Sequence, residues 1–152
     1  MKINKELFSE DVLLFHQDVR NKDELFATLN GHLQKNNVVN DGFLKAIKKR
    51  EENFPTGLNL ESGVGVAIPH TDPEYVNKDQ IGFISLNKPI EFKQMGSDTE
   101  KVQVKMVFIL CLKEAHKQLD MLQNLMTIFG NSQMVKNLYE CKSKDKFLNL
   151  IS

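Results

Sequence analysis

A chain of 152 residues is long enough for one domain that buries roughly 68–70% of its unfolded surface, and a 41% hydrophobic content suffices for a core. Twenty basic and twenty acidic residues cancel, with 9 and 12 in residues 1–75 and 11 and 8 in residues 76–152, which excludes a basic nucleic-acid footprint and a charged tail. No apolar run approaches the roughly 20 residues of a membrane span and no secretory signal precedes the first structured segment, so the expectation is a reduced, cytoplasmic protein.

Val12 to Val19 open with Val-Leu-Leu-Phe and predict a first strand. Asn21 is placed to cap a helix carrying Leu25, Phe26, Leu29 and Leu33 at helical spacing, slightly weakened by Gly31. Asn40 or Asp41 begins a second helix with Phe43, Leu44 and Ile47 on one face, running to about Glu52. Phe54-Pro55-Thr56-Gly57 must break it. Val64, Val66 and Ile68 then alternate with Gly65 and Ala67 as a strand. Ile81 to Leu86 follows after a polar loop, and Ile90-Glu91-Phe92 is a further short strand. Val102 to Leu112 alternates and then turns continuously apolar, as a strand in the middle of a covered sheet does. Glu114 to Gly130 switches to helical periodicity through Leu119, Leu122, Leu125, Met126 and Phe129, with Gly130 as its stop. Two short helices, around Met134-Val135-Leu138 and Phe147-Leu148-Ile151, complete the chain. With no repeat, low-complexity segment or linker, residues 1–152 read as a single domain of α/β class: one mixed sheet flanked by helices on both faces.

The most informative stretch is Gly63-Val64-Gly65-Val66-Ala67-Ile68-Pro69-His70-Thr71. Proline fixes its own φ and ends the hydrogen-bond ladder, which leaves His70 at a rigid strand end. With an ordinary pKa of about 6.5, an imidazole there is mostly a neutral nucleophile at pH 7. The alternative is a histidine that merely turns the chain. Of the others, His16 and His32 read as structural or surface residues. His116 lies where a buried strand hands over to a helix, whose first turn presents free N–H groups to anions. Arg50 belongs to Lys48-Lys49-Arg50-Glu51-Glu52, a pattern that also suits a solvated helix end. Cys111 reads as a small buried thiol, whereas Cys141 sits among polar residues. No histidine or cysteine pair has zinc spacing, and neither a hydrolase nucleophile elbow nor a nucleotide phosphate loop is present, so no cofactor or metal is expected.

Arg50-Glu51, Phe54-Pro55-Thr56-Gly57 and Val66-Ala67-Ile68-Pro69-His70 together resemble the signature of a bacterial sugar phosphotransferase-system enzyme IIA. The resemblance is to the fructose–mannitol class and leans to its galactitol-like branch, since Pro-His-Thr stands where fructose and mannitol members commonly have Pro-His-Gly. It spans essentially the whole chain. It implies a mixed central sheet flanked by helices, and a phosphoryl relay. His70 would accept the group from the histidine-containing phosphocarrier protein and yield it to a cysteine of enzyme IIB. Selection of the sugar belongs to the membrane enzyme IIC, so no direct sugar binding is expected. Arg50 would lie beside the active histidine and clamp the phosphoryl oxygens in bidentate fashion. His116 matches the position of a second histidine in mannitol-like members. Glu61 corresponds to a carboxylate near the mannitol-type active histidine, where it would orient the imidazole.

A regulatory nitrogen-type IIA would share this fold and histidine while acting through its phosphorylation state. A histidine acid–base hydrolase would need a clustered carboxylate or metal that the spacing does not show. A pure binding module would leave the Ala67-Ile68-Pro69-His70 segment structural.

Overall fold

A computed structural model describes residues 2–152. A short 3-10 turn, Lys5–Phe8, leads into β1, Leu13–Gln17. Asn21 caps α1, Lys22–Lys35, by accepting the Glu24 N–H at 2.9 Å, as its side-chain chemistry predicts. The second helix, α2, spans Phe43–Asn53; Asn40 accepts from Gly42 N–H at 3.0 Å just before it, and Phe54 N–H closes its last turn on the Arg50 carbonyl at 2.7 Å. Then come β2, Gly57–Asn59, β3, Gly65–Ala67, a 3-10 turn at Pro73–Tyr75, and the long strands β4, Gln80–Lys93, and β5, Lys101–Cys111. Three helices finish the chain: α3, Ala115–Phe129, α4, Ser132–Glu140, and α5, Lys144–Ile151.

The strands form one five-stranded sheet in the order β1-β4-β5-β3-β2. β1 runs parallel to β4 and β3 parallel to β5, while β4–β5 and β2–β3 are antiparallel. Side-chain alternation divides the core into two layers. Ala67, Ile84, Leu86, Phe92 and Val107 face α1 and α2 with Leu25, Phe26, Leu29 and Ile47. Val66, Ile68, Phe83, Phe108 and Leu110 face α3 to α5 with Leu125, Leu138 and Phe147. The mixed sheet with helices on both faces is therefore the architecture that the sequence predicts.

Two strand assignments differ from the expectation. Ile81–Leu86 and Ile90–Phe92 are one strand rather than two, because pairing with β5 resumes after a register shift between Ser85 and Ile90. Asn87, Lys88 and Pro89 are exposed within that shift, the place in a sheet where a proline is tolerated. The breaker segment also runs straight into β2, a three-residue edge strand too short to show a period. Gly57 opens it because a Cβ there would lie 2.6 Å from the Lys93 carbonyl oxygen.

Parallel β3 and β5 bring their C-terminal ends to the same side of the sheet, where α3 begins. That junction holds Pro69 and His70.

Candidate functional site

Beyond β3 the chain stays tied to β5 by a single link. Pro69 offers no N–H, but its carbonyl accepts the Leu110 N–H at 2.9 Å, and His70 bridges to Leu110 in parallel register. His70 is thus held at the ladder's end and is only partly covered. Its Nδ1 lies 3.0 Å from the Ile68 carbonyl oxygen. A carbonyl can only accept, so Nδ1 carries the proton and Nε2 is left with its lone pair free. Burial, opposed by the Ile68 carbonyl and reinforced by the nearby Arg50 cation, holds the imidazole below its ordinary pKa. The ring is therefore a neutral nucleophile at pH 7.

Arg50 comes from the last full turn of α2. Its guanidinium stacks over the Phe54 ring, 4.2 Å from the centroid, and its buried Nε has no hydrogen-bond partner among the described residues. A cleft of about 270 Å³ opens beside it, lined by Lys49, Arg50, Phe54, Thr71, Asp72 and Tyr75. A cation with an unspent donor, facing the loop that follows His70, can receive an anionic group.

His116 sits in the first turn of α3, exposed, with Nε2 3.7 Å from Glu114. The same turn touches the His70 segment through Gln118, a buried side chain whose amide donates to the Thr71 carbonyl at 3.0 Å and the Leu112 carbonyl at 3.2 Å. His116 is brought to this end of the sheet. Glu61 is not. It is exposed in the turn joining β2 to β3, whereas His70 follows the opposite end of β3. The antiparallel register, with Asn59 opposite Gly65 and Gly57 opposite Ala67, carries that turn away from the histidine.

A different carboxyl, that of Glu51 in the Arg50-Glu51 pair, packs beneath the His70 segment. It is buried, and both its oxygens accept from Thr56, one from the backbone N–H at 2.7 Å and one from the hydroxyl at 2.8 Å. Thr56 Oγ1 in turn accepts the Ile68 N–H at 3.2 Å. Burial raises the Glu51 carboxyl to about 7, against the opposing pull of the Thr56 donors and Lys22. The Arg50-Glu51 and Thr56-Gly57 pairs were both visible in the sequence, but their contact across a helix end was not. Gln118 carried no signal beyond an apolar-phase position in α3.

The remaining candidates lie elsewhere. His16, in β1 at the opposite part of the sheet, takes a left-handed φ of 51° where the β1 register breaks and packs edge-on against Tyr139 at 5.4 Å. His32 is exposed on α1. Cys111 and Cys141 are free thiols, both buried, and burial raises both, so neither is a thiolate at neutral pH. Among the described residues no group of three or more His, Cys, Asp or Glu is placed to hold a metal ion, and no helix is long and apolar enough to cross a membrane.

An imidazole with one nitrogen committed and the other free, beside a guanidinium, can take up a phosphoryl group and release it again: the chemistry of a carrier. Residues 6–152 match the family described as phosphoenolpyruvate-dependent sugar phosphotransferase system, EIIA 2. The galactitol-specific EIIA component of Escherichia coli K12 is 29% identical over 112 residues, covering 74% of this chain and 71% of that protein. A mannitol-specific enzyme IIA component of Staphylococcus aureus is 28% identical over 142 residues, covering 93% and 92%. The structure of Escherichia coli mannitol enzyme IIA in complex with phosphorylated mannitol enzyme IIB is similar in fold, with a TM-score of 0.73 and 19% identity over 93% of this chain and 94% of that one. The chain belongs to the EIIA 2 family and is an enzyme IIA phosphoryl carrier of a sugar phosphotransferase system.

Proposed function

We propose that His70 is the residue that carries the phosphoryl group, through Nε2, between the histidine-containing phosphocarrier protein and a galactitol-like enzyme IIB. The observation that carries this reading is the Nδ1–H donated to the Ile68 carbonyl, which leaves Nε2 as the sole nucleophile of a neutral ring. The Nε2 lone pair attacks the phosphorus of the donor's phosphohistidine in line. An Nε2–P bond forms as the donor's N–P bond breaks, and that electron pair leaves on the donor imidazole. While phosphorylated, the His70 ring keeps its Nδ1 proton and carries positive charge that the Ile68 carbonyl stabilises. A cysteine thiolate of enzyme IIB then forms an S–P bond, the Nε2–P bond breaks, and its pair returns to Nε2. Arg50 engages the transferring oxygens with its free N–H donors, and His116 assists from the first turn of α3.

Both partners must meet the same histidine in turn, so apolar surface near it suits a transient contact. Phe54 and Leu119 supply it. Each is more than half exposed, and each belongs to a segment that packs against the His70 region. Incubation with enzyme I, the phosphocarrier and phosphoenolpyruvate tests the assignment: an acid-labile phosphoryl group should appear on His70. Transfer onward to galactitol-, mannitol- and fructose-type IIB proteins tests the branch. Faster transfer to a mannitol- or fructose-type IIB than to a galactitol-type one would overturn it.

A further inference from the structure

We propose that Glu51 is a positioning residue for phosphoryl transfer, holding His70 in its Nδ1–H tautomer through Thr56 and the Ile68 backbone. The inference rests on the reading of His70 as the acceptor. Its structural basis is one continuous chain of hydrogen bonds. Glu51 takes both protons that Thr56 can donate, from the hydroxyl and the backbone N–H. The hydroxyl proton being committed, the Thr56 oxygen must present a lone pair to the Ile68 N–H, and it does so at 3.2 Å. Ile68 has passed the end of β3, so Thr56 stands in for the strand acceptor that the ladder no longer provides. The Ile68 carbonyl then receives the His70 Nδ1–H.

The N–H and C=O of Ile68 belong to different peptide groups on either side of one α-carbon, so what passes along this chain is geometry and not a proton. Thr56 fixes the first peptide. Pro69 confines Ile68 to extended backbone and thereby fixes the second. The carbonyl is left aimed at Nδ1. Remove the anchor, and the Thr56 hydroxyl is free to rotate and offer its proton elsewhere, the Ile68 N–H loses its acceptor, and the carbonyl is no longer held. A histidine without that acceptor populates the Nε2–H tautomer as well, in which the nucleophilic lone pair is blocked. Glu51 also has a feature that a packing role does not require: it keeps a carboxyl in a buried place where an apolar side chain of similar size would be less costly.

The test combines transfer kinetics with 15N NMR of the His70 ring at about pH 8, where the imidazole is neutral. Glu51→Gln keeps the size of the side chain but cannot accept both Thr56 donors. Thr56→Val severs the same chain at its middle without touching Glu51, and Thr56→Ser preserves it. Expected are a mixture of His70 tautomers and phosphorylation slowed about tenfold in Glu51→Gln and Thr56→Val, with both readouts restored in Thr56→Ser. Folded Glu51→Gln and Thr56→Val proteins that retain a pure Nδ1–H tautomer would reduce Glu51 to a structural residue and overturn the proposal. The tautomer is read without any phosphate donor, so its outcome is separate from whether His70 is phosphorylated at all. A wild-type protein labelled on another residue would sink the acceptor assignment instead.

Discussion

His70 donates its Nδ1 proton to the carbonyl of Ile68, two residues back along the chain and just past the end of β3, over 3.0 Å. That local bond leaves Nε2 as the ring nitrogen with a free lone pair, and it depends on the strand having ended: an Ile68 carbonyl engaged in a regular ladder would be taken by another donor. The arrangement of Pro69, which withholds an N–H but keeps its carbonyl on Leu110, is what lets the chain stop pairing without drifting from the sheet.

Replacing His70 by Gln should abolish phosphoryl uptake while leaving the fold intact, because the ring makes one hydrogen bond to local backbone and supports no core layer. Labelling with phosphoenolpyruvate and the two upstream proteins, alongside thermal unfolding, checks both halves. Stoichiometric labelling of the His70→Gln protein would refute the assignment.

Arg50→Lys should slow transfer in both directions by about tenfold despite the retained charge, since lysine offers neither the bidentate fork nor the planar stack on Phe54. Rapid-quench measurement of phosphorylation and of transfer to IIB provides the readout. Unchanged rates would show that Arg50 packs on Phe54 without taking part in transfer.

The acceptor should remain reactive to lower pH than an ordinary histidine. Burial foremost, and Arg50 with it, hold the His70 ring below about 6.5, so its lone pair persists where a free imidazole has taken a proton. The midpoint of the fall in phosphorylation rate with a constant donor should therefore lie below about pH 6.5. A rate that halves at pH 6.5 or above would contradict this.

Glu51 should make the protein less stable as pH rises. An unfolded glutamate loses its proton near 4.5, and Glu51 in the fold keeps it to about 7. Across that window the folded state binds more protons than the unfolded one, so stability declines with increasing pH, by at most about 3 kcal/mol. Lys22 from α1 opposes the shift, and Asp23, Lys48 and Glu52 line the same cleft. Urea unfolding at about pH 5 and about pH 8 should show the decline in wild type and a flatter profile in Glu51→Gln. Equal profiles would show that Glu51 is already ionised in the fold at the lower pH.

Gly31→Ala should stabilise the protein by roughly 0.5–1 kcal/mol. The residue lies in the middle of α1, exposed, and a Cβ there meets nothing within 4 Å. A lowered midpoint in thermal unfolding would contradict the prediction.

Local pattern in the sequence was sufficient for the helices, the two-faced sheet and the rigid strand end that carries His70. Periodicity, caps such as Asn21 and the rigid Pro69-His70 end are properties of neighbouring residues, and neighbouring residues express them wherever the chain folds. The motif residues Arg50 and Thr56 were legible for the same reason. What the sequence left open are relations between segments that meet only after folding. The β2–β3 register turns Glu61 away from His70, a pairing that a three-residue strand cannot announce. Gln118 reaches the Thr71 carbonyl across 47 positions of chain. Glu51 reads as one more charge in a polar helix end until the fold buries it, because burial is decided by what packs against a side chain and not by the side chain itself. Tertiary structure thus decided which carboxyl is buried against Thr56 beneath the His70 segment, while the position of His70 just after Pro69 is written in the chain itself.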